Sequence, residues 1–460
     1  YLINTVTQSA FNNQQEVVQN EKRQRVDNNP YGHENWVIDK NIYPEGHPYN
    51  WQVIGELEDL QGATLDDVKE FYDKFYGPNN ATLVLAGDFE KEDAKALVEK
   101  YFGEIKRRQE VEPLKPQPVT IAETVRLYHE DNFANTAQLN MVWPTTYQYT
   151  DDAYALDFLA ELLSSGKKAP MYKVLEKEKE LSSRYYAYNN AQQLAGEFHV
   201  LVTANSGKSL NDIEAAMFES LVLFEKNGIS DKDVERIKAG LETSFYNGIS
   251  SVLGKSFQLA NYNTFTGDPG FIEKDIENIK KVTKEDVMRV YNKYIKDKPF
   301  VITSFVPKGQ TELIVENSTK APVVEEEIKE NVATVIEETK EEIVKTPSLI
   351  DRSKEPEQGE APSLNVPTSW TSELANGMKV YGIEQNEIPT VNFSIRIDGG
   401  HLLDDMEKNG VANLMTDIMM EGTKNKTPEQ LEEEIEMLGA SINMYTGDEA
   451  ITIRGNTLVR

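Results

Sequence analysis

The sequence predicts an α+β fold built from tandem homologous α/β domains, each a mostly antiparallel sheet with helices on one face. Three observations predict this class. A helix followed by a strand occurs twice, a Pro-rich stretch separates the two copies, and further amphipathic helices alternate with apolar strands. The length of 460 residues also exceeds the ~250 to 300 residues at which a single hydrophobic core stops growing, so we expect several globular units.

The repeated unit is the clearest part of this pattern. The segment TLDDVKEFYDKFY at 64–76 is matched 219 residues later by TKEDVMRVYNKYI at 283–295. Each copy begins with Thr followed three residues on by Asp, which is an N-cap arrangement, and carries apolar residues at helical spacing. Apolar segments that predict strands follow at 81–89 and 299–307. Two related domains explain the match, and two ordinary amphipathic helices that agree by chance are the alternative.

Domain limits follow from breaks in composition. The Pro-spaced stretch VEPLKPQPV marks a boundary, because Pro lacks a backbone donor and favours an extended conformation in the residue before it. We expect a first domain at 1–112, a second at 113–308, a linker at 309–365 and the start of a third domain at 366–460. In the second domain, DDAYALDFLAELLSS and KSLNDIEAAMFESLVLFEKNG predict helices, and GEFHVLVTAN predicts a strand.

The linker has two interpretations. Its acidic stretch VEEEIKENVATVIEETKEEIVK is followed by the Pro, Ser and Glu of SKEPEQGEAPS, a composition typical of disordered linkers. Ile328, Val332 and Val335 nevertheless lie at helical spacing, which favours a short docked helix. The sequence leaves both interpretations open.

Composition and charge exclude several functional classes. A formal net charge of -29 would repel nucleic acid and anionic lipid, since both are bound by Lys and Arg that neutralise phosphates. No apolar run approaches the ~20 residues that a membrane-spanning helix needs. The chain has no cysteine, so a disulfide framework, a thiol nucleophile and a cysteine-type zinc site are all excluded. We therefore expect no nucleic-acid partner and no membrane span.

The segment GVANLMTDIMMEGT at 410–423 has the form of a metal-binding helix without metal ligands. A divalent metal is held on a helix by two His at positions i and i+4, with a neighbouring Glu as base for the bound water. Here Asn413, Thr416 and Asp417 occupy the three positions. Without imidazole and a general base they make a poor zinc peptidase site, so the sequence predicts a structural helix.

The remaining catalytic signatures are weak. None of the five histidines forms a His-x-x-x-His pair, and His199, which alternates with apolar neighbours in EFHVLV, is expected to be a half-buried strand residue. The others are His33, His47, His129 and His401. The sequence contains no Gly-x-Ser-x-Gly elbow and no phosphate-binding loop. No catalytic residue is therefore predicted within the chain.

The segment at 410–423 resembles the start motif of the active half in the pitrilysin and insulinase family of zinc metallopeptidases. That motif is Gly-x-Ala-His-x-x-Glu-His followed by a hydrophobic pair and Gly-Thr, the inverted His-x-x-Glu-His motif. The positions of the two His and the Glu carry Asn413, Asp417 and Thr416, so the last third of the chain resembles the degenerate half of a two-half, clam-shell member.

Earlier segments carry the same resemblance. EVVQNEKRQRVDNNPYG and the stretch from GHPYN to ATLVLAGDF are similar to the downstream part of the catalytic-type first domain. Residues 113–308, including MYKVLEKEKELSSRYYAY, resemble the second domain of that half. The resemblance places the third zinc ligand at Glu21, in a segment shaped like Val-Val-x-x-Glu, whereas the sequence alone favours an exposed Glu. Gln14 stands where many relatives carry a second acid.

The resemblance implies a function for a longer protein. The chain starts at Tyr1 and ends within a strand-like pattern, so we expect an internal fragment of a Zn²⁺-dependent endopeptidase whose His-x-x-Glu-His lies upstream. Such an enzyme would cleave peptides or unfolded segments inside a chamber, while the fragment alone would be inactive. A noncatalytic subunit that holds substrate or structure is the alternative. The resemblance also implies a homo-oligomer or a peptidase-like partner subunit, and a bacterial periplasm or cell envelope location.

Overall fold

The computed structural model describes residues 6–324, 347–355, 357, 359, 363 and 366–459. The helices are α1 Gln8–Lys22, α2 Glu34–Ile42, α3 Leu57–Gly62, α4 Leu65–Phe75, α5 Lys91–Phe102, α6 Asp151–Ser164, α7 Leu210–Asn227, α8 Asp231–Gly248, α9 Val252–Thr266, α10 Ile272–Lys281, α11 Lys284–Val290, α12 Val411–Met419 and α13 Pro428–Met437. The strands are β1 Val125–Asp131, β2 Gln138–Thr145, β3 Arg184–Ala191, β4 Gly196–Thr203, β5 Val301–Pro307, β6 Thr319–Lys320, β7 Ser369–Glu373, β8 Lys379–Ile383, β9 Thr390–Asp398, β10 Ser441–Thr446 and β11 Ala450–Leu458.

A six-stranded mixed sheet in the order β3-β4-β2-β5-β1-β6 organises the middle of the chain. The pairs β3-β4, β4-β2 and β2-β5 are antiparallel, and β5-β1 and β1-β6 are parallel. The sheet and its helices confirm the predicted class, including the helices expected from DDAYALDFLAELLSS and KSLNDIEAAMFESLVLFEKNG. Because β6 pairs with β1, this main unit, residues 125–324, continues past residue 308.

Helices cover one face of this sheet. Leu139, Met141 and Trp143 alternate along β2 and join a core that also contains Leu156 and Leu159 of α6, all at most 1% exposed. Alternation places every second side chain of a strand on the same face. Each fully buried side chain of this size contributes about 1.5 to 3 kcal/mol. This core fixes α6, α7, α8 and α11 against the sheet.

The opposite face is covered by helix α2 from near the beginning of the described chain, together with neighbouring residues. Val37 and Ile38 of α2 are at most 1% exposed and pack on Val142, Val301 and Phe305 of the sheet. The N-terminal residues and the main unit are therefore joined by a second hydrophobic core. The domain limits proposed from composition remain predictions.

The two copies of the repeated helix have the same N-terminal structure. Thr64 accepts from the backbone N–H of Asp67, and the Asp67 carboxylate accepts from the Thr64 N–H, which is a complete capping box. Thr283 and Asp286 form the same box at the start of α11. The N-caps that the sequence predicts are thus present in both copies.

The prediction of a strand at 81–89 is wrong. These residues lie in irregular backbone, and Leu83 and Leu85 are about half exposed. A strand needs a neighbour to pair its backbone N–H and C=O groups, and no described segment forms a ladder with 81–89. The equivalent prediction at 299–307 holds, because β5 is buried between β2 and β1.

Residues 366–459 form a third unit with two small sheets. β7 and β8 make a hairpin, and β10, β11 and β9 make an antiparallel sheet in that order. The predicted helix TPEQLEEEIEMLG is α13, with a capping box between Thr427 and Gln430 and Pro428 in its first turn.

Residues 348–352, in the segment predicted to be a linker, contact the N-terminal residues. Glu104, just after α5, accepts from the Leu349 N–H at 2.6 Å, from Arg352 Nη2 at 2.7 Å and from the Ser348 hydroxyl. These donors hold the pKa of Glu104 at about 2, with the Ser348 hydrogen bond as the largest cause. The docked helix predicted from the spacing of Ile328, Val332 and Val335 lies outside the described residues. Within the described part of the chain, no helix has the length and apolar character needed to cross a bilayer.

Candidate functional site

Helix α12 carries the positions where a zinc-binding helix would have its ligands. Asn413 and Asp417 are exposed, while Thr416 between them is 2% exposed. The Thr416 hydroxyl donates to the Asn413 carbonyl at 2.8 Å and lies 3.2 Å from the Thr446 hydroxyl on β10. Thr446 in turn donates to the Ala412 carbonyl at 2.9 Å. The position that the resemblance assigns to a catalytic Glu is therefore occupied by a buried hydroxyl, which packs against the Thr446 hydroxyl that bonds α12 to the sheet.

Glu21, the predicted third zinc ligand, lies in the last turn of α1. Its carboxylate is 3.2 Å from Arg25 Nε, one helical turn later, and its side chain is 40% exposed. Gln15 holds this helix in place by donating to the carbonyl of Leu60 at 2.7 Å. Gln14 is exposed beside it. The role of Glu21 as a zinc ligand stays a prediction, since nothing in the described geometry tests it.

The described histidines do not join Glu21 in a group that could hold a metal ion. His33 and His129 are buried, with ring centroids 5.7 Å apart in an edge-to-face arrangement. His47 stacks on Tyr43 with centroids 4.6 Å apart, and His401 lies in the third unit, 3.3 Å from Asp448. No group of three or more His, Asp or Glu in the described residues has a geometry that could hold a metal ion.

His199 corrects an expectation of the sequence analysis. Its position on β4 is as predicted, but the side chain is 2% exposed and so is fully buried. Its Nε2 atom is 2.8 Å from Glu197 Oε2, and its ring stacks on Tyr188 with centroids 4.5 Å apart. The Glu197 carboxylate thus pairs with Nε2 of the buried ring, while the buried Nδ1 atom has no hydrogen-bond partner among the described residues.

A layer of carboxyl groups lies between α2 and the sheet, and sequence reasoning missed it. Glu34, 6% exposed, accepts from Gln138 Nε2 at 2.8 Å and from the Thr303 hydroxyl at 3.1 Å. Burial raises the pKa of Glu34 to about 7, against the lowering effect of these hydrogen bonds. Burial also raises the pKa of Asp39 to about 8, with nearby Glu197 adding to the effect.

The sequence did contain a signal for this layer. β2 and β5 are otherwise apolar at inward positions, and polar Gln138, Asn140 and Thr303 interrupt that pattern toward α2. Polar side chains on a buried strand face need a partner. The carboxyl groups of Glu34 and Asp39 can take up protons near neutral pH. Their hydrogen-bond partners are the amides of Gln138 and Gln52 and the hydroxyl of Thr303.

Strand β9 lies at an edge of the third unit. It pairs with β11 along its whole length, from Thr390 opposite Leu458 to Asp398 opposite Ala450. In the described residues no strand pairs with its other edge. An open edge of this kind can pair with a further strand of another segment or chain.

Comparison with known proteins places these features in one family of sequences. A model described as the Peptidase M16 inactive domain matches residues 62–241, and a model described as Insulinase (Peptidase family M16) matches residues 379–455. The second match contains α12 and its Asn413, Thr416 and Asp417.

Two curated proteins show similarity over more than half of the chain. A zinc protease, PqqE, from Helicobacter pylori is 24% identical over 300 residues, which is 63% of this chain and 65% of that protein. A probable inactive metalloprotease, YmfF, from Bacillus subtilis is 25% identical over 258 residues, which is 54% of this chain and 57% of that protein. The chain thus spans less than two thirds of the length of these relatives.

Solved structures show the same fold. A protease from Helicobacter pylori superposes with a TM-score of 0.59 at 24% identity, over 66% of this chain and 73% of that one. The periplasmic protease PqqL from Escherichia coli has a TM-score of 0.53 at 12% identity, over 98% of this chain and 51% of that one. The second likeness includes both the main unit and the third unit of this chain.

Proposed function

The chain belongs to the M16 family of peptidases, the pitrilysin and insulinase family, and on that premise we propose that it forms noncatalytic walls of a zinc endopeptidase chamber. One observation carries the proposal. In α12 the position of the family's catalytic Glu is Thr416, whose buried hydroxyl bonds the Asn413 carbonyl of its own helix and packs against Thr446 of β10. This helix maintains the shape of its unit and offers nothing to a metal.

The residues of this chain do not fit a zinc site by themselves. A catalytic zinc needs three protein ligands and an open position for water. Among the described residues, carboxylates and imidazoles do not gather into such a set, and Glu21 faces Arg25. We derive no catalytic step from this chain. In the proposal the His pair and the base come from a His-x-x-Glu-His segment of a longer parent protein, and Glu21 is the ligand that this chain adds.

The proposed substrate is a peptide or an unfolded protein segment. The open edge of β9 supports this class, because an extended peptide pairs with such an edge through main-chain hydrogen bonds and with modest sequence preference. A peptidase-like partner subunit or a second copy would complete the chamber. The likeness to a periplasmic protease supports a location in the bacterial periplasm or cell envelope.

A noncatalytic member of the family is the second candidate function. The similarity to a probable inactive metalloprotease favours it, as does the match to the inactive-domain model. In that case the chain would bind or hold polypeptides without cleaving them. The two candidates differ in one feature, the presence of an intact His-x-x-Glu-His in the parent protein.

The test compares zinc content and peptide cleavage for the parent protein, its variants and the 460-residue chain. Each protein is dialysed, its zinc per chain is measured, and a mixture of quenched fluorescent peptides reports cleavage. We expect about one zinc and cleavage for the parent. Glu21→Gln should lose both, whereas Glu16→Gln, an exposed Glu on the same helix, should retain both. The 460-residue chain should show neither.

Other outcomes separate the alternatives. Stoichiometric zinc on the 460-residue chain would show that its ligands lie within it. Full zinc in the Glu21→Gln parent would remove Glu21 from the ligand set. A parent that retains peptides on a column but neither binds zinc nor cleaves would establish the noncatalytic function.

A further inference from the structure

The third unit contacts the main unit through charged side chains. Helix α13 lies along α8, and residues 166–173 after α6 complete the contact. The ion pairs are Lys167–Glu421 at 2.7 Å, Lys168–Glu433 at 3.2 Å, Lys173–Glu429 at 3.7 Å, Lys232–Glu433 at 2.7 Å, Arg236–Glu436 at 2.6 Å and Lys255–Glu387. The backbone N–H of Lys167 also donates to Glu432 at 2.6 Å.

The ion pairs that cross this contact all have the same polarity, although Lys168 also pairs with Asp233 of its own unit at 2.6 Å. Every cation of these pairs belongs to the main unit, and every carboxylate belongs to the third unit. Glu429, Glu433 and Glu436 recur at helical spacing and so share one face of α13. Glu434 belongs to a different face and pairs with Lys426 inside its own unit. The contact is thus complementary in sign, although the chain as a whole carries a charge of -29.

No hydrophobic core crosses this contact. The two core clusters found in the described residues contain no residue of the third unit, 366–459. Hydrogen bonds complete it instead: Thr243 donates to the Gly439 carbonyl at 2.7 Å, and Asn247 donates to Asn456 at 3.2 Å. A Cβ at Gly439, where φ is +61°, would lie 2.7 Å from the carbonyl oxygen of Ala239. Only glycine permits this close approach to α8.

A contact of this composition depends on ionic strength. The Debye length falls from about 30 Å at 0.01 M salt to about 3 Å at 1 M salt, and exposed pairs are screened most. Lys232 is 52% exposed and Lys168 is 39% exposed, whereas Arg236 is 7% exposed and retains more of its interaction. The Lys232 ammonium, by its hydrogen bond, holds the pKa of Glu433 below its ordinary value. The hydrogen bonds of Thr243 and Asn247 and the buried Arg236 pair persist in salt, so the exposed lysine pairs are the part of the attraction that screening removes.

We propose that the face formed by residues 167–255 of the main unit and 387–436 of the third unit is a reversible ionic docking surface, closed at low ionic strength and opened by salt. Its opening changes the orientation of the third unit, with α12 and β9, relative to the main unit. The proposal concerns the contact alone and holds for either candidate function.

The experiment measures the distance between the two units as salt is varied. The chain has no cysteine, so Asn227→Cys on exposed α7 and Asn409→Cys on the exposed turn before α12 provide unique spin-label positions in the full chain. Pulsed electron–electron double resonance then gives the distribution of distances between the two spin labels at NaCl concentrations from low to high. We expect one narrow distance near 0.02 M and a broad, longer distribution near 1 M, as screening removes the attraction.

A matched pair of variants isolates the docking surface. Glu433→Gln removes two ion pairs and should lower the docking equilibrium constant about fivefold, the loss expected for two exposed pairs, so that the two units separate at lower salt. Glu434→Gln makes the same chemical change on the same helix outside the contact, and it should follow the unmodified chain. The proposal is overturned if the narrow distance persists at 1 M NaCl, or if both variants open at the same salt concentration.

Discussion

At the scale of single residues, Thr416 shows how α12 is stabilised without a metal. Its hydroxyl is buried, donates to the Asn413 carbonyl and lies 3.2 Å from the Thr446 hydroxyl, whereas the side chains of Asn413 and Asp417 are exposed. Thr416→Val should lower the unfolding free energy of residues 366–459 by about 1 kcal/mol, the usual cost of a lost buried hydrogen bond. Asn413→Ala and Asp417→Asn should stay within about 0.5 kcal/mol of the unmodified chain. Hydrogen exchange of the β10 amides measures all three, and equal effects would contradict the structural role of Thr416.

Glu34 makes a residue-level contribution that depends on pH. Burial raises its folded-state pKa to about 7, above its ordinary 4.5, so the folded chain binds this proton more tightly than the unfolded chain. The stability from the protonated carboxyl is complete below pH 4.5 and is lost as the pH rises through about 7. The loss is about 3 kcal/mol, at 1.36 kcal/mol per pKa unit.

Urea unfolding at pH 5 and pH 8 tests this prediction. The free energy of unfolding should fall between the two values, and Glu34→Gln should remove about 3 kcal/mol of the fall because it cannot ionise. Glu45→Gln changes an exposed carboxyl in the same region and serves as the control. Parallel pH profiles for Glu34→Gln and the unmodified chain would rule out Glu34 as the titrating group.

At the scale of elements, the two capping boxes place one motif in two environments. Behind the Thr283 cap, Val287 and Val290 of α11 are fully buried, whereas behind the Thr64 cap, Phe71 of α4 is 57% exposed. Thr283→Ala should lower the global free energy of unfolding by about 1 kcal/mol, and Thr283→Ser should retain most of the cap. Thr64→Ala should instead increase hydrogen exchange in α4 with little change in global stability. An equal global loss from both Ala variants would contradict this difference in packing.

These elements also show what the sequence could predict. Caps, amphipathic helices and apolar strands are local patterns, so both capping boxes, α6, α7 and β4 follow from the sequence. The strand predicted at 81–89 failed because pairing depends on a neighbour that local pattern does not reveal. The packing of α2 on the second face of the sheet is equally nonlocal, since Val37 shares a core with Val301, which is far from it in sequence.

At the scale of the whole molecule, the sequence predicts those features of the candidate site that depend on residue type. It does not predict those that depend on which elements lie next to each other. The loss of metal ligands at 413, 416 and 417 follows from residue type alone. The hydrogen bond from Thr446 to the Ala412 carbonyl does not, because it joins residues on different elements. The ionic face of α13 had a visible pattern in EQLEEEIEM, but its cationic partners lie some 200 residues earlier along the chain, as Glu436 and Arg236 illustrate.

The net charge of -29 leads to a prediction about the molecule as a whole. Excess negative charge destabilises the compact state by self-repulsion, and salt screens that repulsion. Thermal unfolding of the main unit, which two hydrophobic cores stabilise, should therefore shift to higher temperature between 0.02 M and 0.2 M NaCl. The docking of the third unit should weaken over the same range, because its ion pairs are attractive and exposed. Calorimetry of the full chain follows the first effect, and spin-label distances follow the second. A melting temperature of the main unit that falls with salt would show that attractive pairs, such as those of Asp152 with Arg289 and Lys293, outweigh the net charge.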